Sequence, residues 1–185
     1  MGSFFDEEKQ GLFAEWVKPV LGSTYAPAFR HGAECDARQP LNRILYNDMK
    51  MYLEGDILFK VDRASMAASL EVRVPFLNRR VVEYATRLPL SLKLHRLTGK
   101  YLLRRAMAGR LPPEILTRKK QGFAMPVAYW LTTDLKSLTL DMLAPARLRR
   151  QGLFDPAFVE NLVGDHLART RDNRKLLWTL LIFQL

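Results

Sequence analysis

Apolar positions along the chain recur mostly at helical intervals, and the alternation that builds half-buried strands is scarce. Asp6 has the side chain of a helix cap, with Glu7 and Glu8 in the first turn, and predicts a helix running toward Val17. Gly22, Pro27, Gly32 and Pro40 punctuate residues 22–40, which read as a loop or linker. From there Leu41, Ile44, Leu45, Met49, Tyr52 and Leu53 form one helical stripe. Gly55 is expected to end that helix, and Asp56 to cap another that continues to about Ser69. Val81, Val82, Ala85 and Leu88 mark a short helix closed by Pro89. Further helices fit residues 100–108, 113–116, 126–131, 134–143, 155–170 and 175–185, the helix at 155 having Asp155 as cap and Pro156 in the first helical position. Residues 90–94 are the one short strand candidate. The pattern predicts a mainly α piece: an N-terminal helix in 1–21, a loop or linker over 22–40, and a helical region over 41–185.

At 185 residues the chain is long enough for one ordinary domain with its own core. Its apolar runs fall far short of the roughly 20 residues that cross a bilayer. No charged-then-apolar leader opens it. The single cysteine, Cys35, excludes an internal disulfide framework and fits a reducing compartment. The expectation is a cytoplasmic protein with no membrane partner. Lys and Arg number 29 against 19 Asp and Glu, a formal charge of +10. Such a balance suits nucleic acid, anionic lipid, a polyphosphate substrate, or one face of a larger protein with an acidic counterpart. The basic residues are spread along the chain, with clusters at Arg104-Arg105, Arg118–Lys120 and Arg147–Arg150. No nucleic-acid module accompanies them, so nucleic acid is not the expected partner. His31, His95 and His166 are scattered without Cys or acidic partners at ligand spacing, so no protein-built metal site is expected. Residues 176–185 are apolar nearly all round, which suits a helix in a core or against a partner.

The densest chemical signal is residues 60–80, KVDRASMAASLEVRVPFLNRR. Asp62 and Arg63 precede a Glu-x-Arg-x-Pro break by about two helical turns. Pro75 disfavours helix at Val74, so the chain is expected to become extended at Glu71 and Arg73. Charges amid Leu70, Val72, Val74, Phe76 and Leu77 are costly unless paired or used. From these residues alone Glu71 is a structural partner of Arg73, a helix cap, or a reactive carboxylate. A second block comprises KYLLRR at 100–105, LPPEILTRKKQGF at 111–123 and PVAYWL at 126–131. Lys100 and Arg104 lie four apart on one helical face, either solvated or turned toward an anion. On charge alone, the run Arg118-Lys119-Lys120 is a solvated surface.

In this order and spacing the two blocks resemble the synthetase domain of the glutamine-dependent asparagine synthetase family, in which a D-R-x-S-M-x-x-S-L-E-x-R-x-P-F-L-D run is familiar. The likeness is clear over about 41–131 and weaker to the end. Asn78 departs from it, standing where the family usually has Asp. The resemblance implies the helical C-terminal portion of an α/β adenine-nucleotide-hydrolase-like (ATP pyrophosphatase) domain. The family's SGGxDS-type pyrophosphate loop occurs nowhere in the chain, nor does a Walker loop or GxGxxG. Compared with the family pattern, Met1 therefore falls after the parallel sheet and nucleotide loop.

The implied reaction uses Mg-ATP to adenylate a carboxylate, after which ammonia displaces AMP to give an amide. No tightly bound cofactor is expected on this piece. Ammonia would come from glutamine through a separate glutaminase region with an N-terminal cysteine, which Met1 and Gly2 do not supply. Upstream nucleotide-loop and glutaminase regions of a parent protein are thus the implied partners. By resemblance Glu71 sits beside the acyl-adenylate, steering the amine or helping to remove its proton. Lys120, with Lys119 as its nearest competitor, contacts phosphate and offsets transition-state charge from a mobile loop. Lys100 and Arg104 would bind phosphate or carboxylate, while Asp62, Arg63 and Arg73 would support the segment carrying Glu71. Alone, the chain is expected to be inactive and to self-associate through Leu41, Ile44 and Leu45 and through residues 176–185. The alternatives are a related amidotransferase with another carboxylate acceptor, or a basic helical module binding nucleic acid or protein.

Overall fold

In the computed structural model, residues 4–119 and 125–185 are described. Helix dominates them, as the periodicity predicts. The first elements are α1 (Asp6–Leu12), a 3₁₀ turn (Lys18–Val20), α2 (Ala26–Glu34), α3 (Pro40–Asn47), a π-helical stretch (Asp48–Leu58) and α4 (Phe59–Ala67). There follow a 3₁₀ turn (Pro75–Leu77), α5 (Arg79–Arg87), α6 (Leu90–Lys93), a hairpin of β1 (Leu94–His95) and β2 (Thr98–Gly99), α7 (Tyr101–Met107) and α8 (Pro113–Thr117). The last are α9 (Val127–Thr132), α10 (Lys136–Met142), α11 (Pro145–Gln151), α12 (Pro156–Leu167) and α13 (Arg174–Gln184). Two units partition the chain: Met1–Pro27 with Phe123–Leu185, and Ala28–Gly122.

The first unit holds the core. Leu12, Leu131, Leu143, Leu148, Phe154, Val159 and Leu162 pack with Leu176, Leu177, Leu180 and Leu181 of α13. Each fully buried leucine contributes about 1.5–3 kcal/mol, so the apolar C-terminal run is principally core here. α1 stops at Leu12, short of the expected Val17, because tertiary hydrogen bonds take over. Ala14 N–H donates to the Leu153 carbonyl (2.9 Å) and Asp155 N–H to that of Leu12 (2.7 Å), while Phe13 bridges Phe154. Gly11 permits the close approach of α12: a Cβ there would stand 2.7 Å from the Phe158 ring. Asp6 does not cap α1; Phe5 holds that position. The Asp6 carboxylate instead pairs with Lys9 (2.8 Å) and accepts from Thr24 N–H and Ser23 Oγ (both 2.7 Å). Lys9 foremost, then Thr24 and Ser23, hold that carboxyl well below the usual carboxylate range. Asp155 does cap α12, its Oδ1 accepting from Phe158 N–H at 2.8 Å. Helix α11 has no counterpart in the periodicity reading, although Pro145 opens it and Gly152 (φ +67°) closes it.

The second unit contains no buried residue among those described. Ile44, Phe59, Leu70, Phe76 and Tyr84 are all exposed. Gly55, the expected helix stop, lies inside an uninterrupted helical run from Pro40 to Ala67. A glycine within a helix costs only about 1 kcal/mol, which a long run absorbs. Asp56, the expected cap, pairs with Lys60 one turn on at 3.0 Å. Residues 22–40, expected as a loop, hold α2, fastened by Arg43 Nη2 donating to the Gly32 carbonyl at 2.9 Å. The strand candidate at 90–94 is mostly α6, and the hairpin begins only at Leu94, paired Leu94↔Gly99 and His95↔Thr98. Lys93 Nζ donates to Asn42 Oδ1 and the Thr86 carbonyl (both 2.9 Å), and partial desolvation lowers its pKa. Among the described residues this hairpin is the only sheet, and no helix is long and apolar enough to cross a membrane.

Candidate active site

The segment carrying Glu71 begins with a paired turn at the end of α4. Leu70 N–H donates to the Ser65 carbonyl and Ser69 N–H to that of Met66, both at 2.9 Å. This is a Schellman closure, with Ser69 in the left-handed region at φ 55°, a conformation normally given to glycine. The helix therefore ends at Ala67, closed by its own turn, and Pro75 acts only later by opening the 3₁₀ turn. Asn78 caps α5: its Oδ1 accepts from Arg80 N–H at 3.0 Å, so the departure from Asp keeps an acceptor where the backbone requires one.

Glu71 lies in the extended stretch between these turns. Its Oε1 accepts from Arg73 Nε at 2.8 Å, with side chains 72% and 87% exposed. The apolar neighbours Leu70, Val72, Val74 and Phe76 are exposed as well. The premise that burial makes these charges costly is therefore corrected: in this chain they are solvated, and their pairing contributes at most about 1 kcal/mol. Arg63 stacks its guanidinium over Phe59 at 5.2 Å. Among the described residues Asp62 and Arg63 form no ion pair with each other; Ser65 Oγ reaches the Asp62 carbonyl, not its carboxylate.

Lys100 stands at the start of α7 with φ 55°, and its carbonyl accepts from Arg104 N–H at 2.9 Å. Arg104 donates from Nη1 to the Leu116 carbonyl, tying α7 to the end of α8. That bond takes one of its five donors, which leaves a guanidinium still able to meet an anion. Lys119 is exposed, and Lys120 lies outside the described residues. Among the described residues no three His, Cys, Asp or Glu side chains gather to hold a metal ion.

One feature escaped the linear reading. The basic residues look dispersed along the chain, yet Ala28–Gly122 carries 19 Lys and Arg against 9 Asp and Glu, and the other unit carries 10 against 10. The whole net charge of +10 belongs to the unit containing Glu71, Lys100, Arg104 and Lys120. Counting charge by unit rather than along the whole chain would have found it.

The family model described as asparagine synthase matches residues 5–185. Asparagine synthetase [glutamine-hydrolyzing] 1 of Bacillus subtilis is 34% identical over 181 residues, 94% of this chain and 28% of its own. The chain belongs to the asparagine synthase family. A Mycobacterium tuberculosis protein, whose name assigns it provisionally to the glutamine-hydrolyzing asparagine synthetases, is 38% identical over 184 residues, 100% of this chain and 27% of its own. A second Bacillus subtilis protein, asparagine synthetase [glutamine-hydrolyzing] 3, is 37% identical over 116 residues, 63% of this chain and 19% of its own. This asparagine synthase-family chain spans little more than a quarter of the length of the first two relatives. No solved structure was found to match it significantly.

Proposed function

We propose that this chain forms one wall of the synthetase site of an ATP-dependent amidoligase that makes asparagine from aspartate. It is the helical portion of an α/β adenine-nucleotide-hydrolase-like domain. Other regions supply the pyrophosphate loop and, for glutamine-derived ammonia, the glutaminase nucleophile. A carboxylate oxygen of the acceptor attacks the α-phosphorus of Mg-ATP, and pyrophosphate leaves. Ammonia then attacks the acyl carbon, the carbon–oxygen bond to AMP breaks, and the nitrogen gives up a proton. Glu71 orients the amine or takes that proton. Lys120, with Lys100 and Arg104, meets phosphate oxygens and offsets the negative charge developing on them. Arg73 Nε donates to the Glu71 carboxylate at 2.8 Å, a solvated contact that biases its direction only weakly.

The observation that carries this reading to these residues is the confinement of the net positive charge to the unit that holds them. A polyphosphate is a ligand such a field attracts, and the family match supports reading it as a nucleotide. Scattered lysines do not replace the convergent backbone N–H donors of a nucleotide loop. The chain alone, given Mg-ATP, aspartate and ammonia, is therefore expected to release no pyrophosphate and form no asparagine. Activity is expected when these 185 residues are part of a polypeptide that also carries an SGGxDS-type loop. Pyrophosphate release by the chain alone at ordinary enzymatic rates would overturn the proposal.

A further inference from the structure

Polar ties within Ala28–Gly122 are almost all local. Among the described residues of this unit, side-chain hydrogen bonds and ion pairs join positions at most 12 apart, with one exception. Lys93 Nζ, on α6, donates at 2.9 Å to Asn42 Oδ1 on α3, 51 positions away. The same Nζ donates at 2.9 Å to the Thr86 carbonyl in the last turn of α5. A helix C-terminus carries unpaired carbonyls and partial negative charge, so a cation is favourable there. One ammonium thus grips the first turn of α3 and the end of α5.

Between those two grips runs the chain from Asn42 to Thr86, which carries Asp62, Arg63, Glu71 and Arg73. It follows the helical run to Ala67, turns at Ser69, passes Glu71 in extended form and continues through α5 to the Lys93 ammonium. No residue of the unit is buried among those described, so no apolar core fixes where this excursion starts and ends. A bond that closes a long stretch of chain restricts the arrangement of everything inside it. Lys93 is itself half-buried, and partial desolvation lowers its pKa. A cation kept where desolvation opposes it depends on its hydrogen bonds. A methionine of similar length would avoid that desolvation and lose both bonds.

We infer that Lys93 is a positioning residue: by holding Asn42 and Thr86 together it sets the placement of the excursion that presents Glu71. Its effect on catalysis rests on the role proposed above for Glu71; the closure itself does not. The closure is read on the 185-residue chain as the spin–spin distance distribution between labels at Ile44→Cys on α3 and Tyr84→Cys on α5. Both positions are exposed, and Cys35→Ser removes the native thiol. Lys93→Met should broaden this distribution, and Lys93→Arg, which keeps several donors, should restore it. Asn42→Ala removes only the longer bond and should broaden it too, with no further broadening when the two changes are combined. An unchanged distribution in Lys93→Met, or loss of helicity in both Lys93→Met and Asn42→Ala, would overturn the inference. In the complete enzyme Lys93→Met should slow amide formation by roughly tenfold to a hundredfold, the scale of a misplacement of about 1 Å, while exchange of pyrophosphate into ATP is largely retained. Lys93→Arg should recover most of that loss. Equal losses in both steps, or none, beside a Glu71→Gln variant that does lose amide formation would overturn the positioning role. If Glu71→Gln is itself near normal, the role of Glu71 fails, and the distance measurement still decides the closure.

Discussion

Glu71→Gln in the complete enzyme separates the two roles that Glu71 can have. The substitution keeps the shape and one acceptor oxygen but removes the charge. Its structural cost is small: Glu71 and Arg73 are 72% and 87% exposed, and a pair so solvated contributes at most about 1 kcal/mol. Melting should therefore fall by no more than about 2–4 °C for a domain of this size. If Glu71 orients or deprotonates the amine, amide formation should fall by roughly 10²–10⁴, equivalent to about 3–5 kcal/mol of barrier. Adenylation, followed as exchange of labelled pyrophosphate into ATP without ammonia, should be largely retained, since no amine takes part in it. Arg73→Gln breaks the same ion pair from the other side and should cost amide formation far less. Equal losses in the two variants, or near-normal amide formation in Glu71→Gln, would refute the reasoning and leave Glu71 as a structural partner of Arg73.

Lys120→Ala should lower turnover about a hundredfold or more, as deletion of one transition-state donor does, with little change in melting; Lys119→Ala should be nearly silent, and reversed outcomes would transfer the role to Lys119. Leu148→Ala, at a fully buried position, should destabilise the first unit by about 2.7–5 kcal/mol in urea unfolding, whereas Ile44→Ala, at a position 58% exposed, should stay within about 0.5 kcal/mol. Asp6 has a depressed carboxyl pKa in the folded chain, so its contribution is fully present above the ordinary value of 3.8 and is lost as pH falls through the depressed value. Asp6→Asn should consequently lower the melting temperature at neutral pH and have less effect in strong acid, and an equal decrement at both would exclude the linkage.

Helices with strong periodicity or clear caps were legible in the sequence: α12, with Asp155 and Pro156 at its start, and α13 sit close to where the apolar pattern puts them. The misses occur where tertiary contacts or tolerance override local signals. Asp6 has the chemistry of a cap, yet its acceptors are taken by Lys9, Thr24 and Ser23. Gly55 has the chemistry of a stop, yet the helix continues through it as a π stretch, for which no residue pattern gives warning. The left-handed turn at Ser69 was hidden for a related reason: the sequence offers neither glycine nor asparagine at that position.

The family was legible as a motif, whereas the setting of Glu71 was not. Burial was the reason for suspecting Glu71, but its segment is exposed, and so is every apolar neighbour that the reasoning invoked except the partly buried Leu77. What survives is the pattern of residue types, together with a field that the pattern alone did not reveal. One unit has a leucine-rich core and no net charge; the other has no buried residue among those described and all of the +10. A unit with so little interior gains little stability from its own packing, so its exposed apolar and cationic side chains are most readily understood as contacts for something else. Under the proposed function, a nucleotide phosphate group would account for the cations, and a further layer of the parent protein for the apolar residues. On the proposed function, the surroundings that would desolvate Glu71 would be contributed when those contacts are made; its 2.8 Å pairing with Arg73 is solvated and biases the carboxylate only weakly.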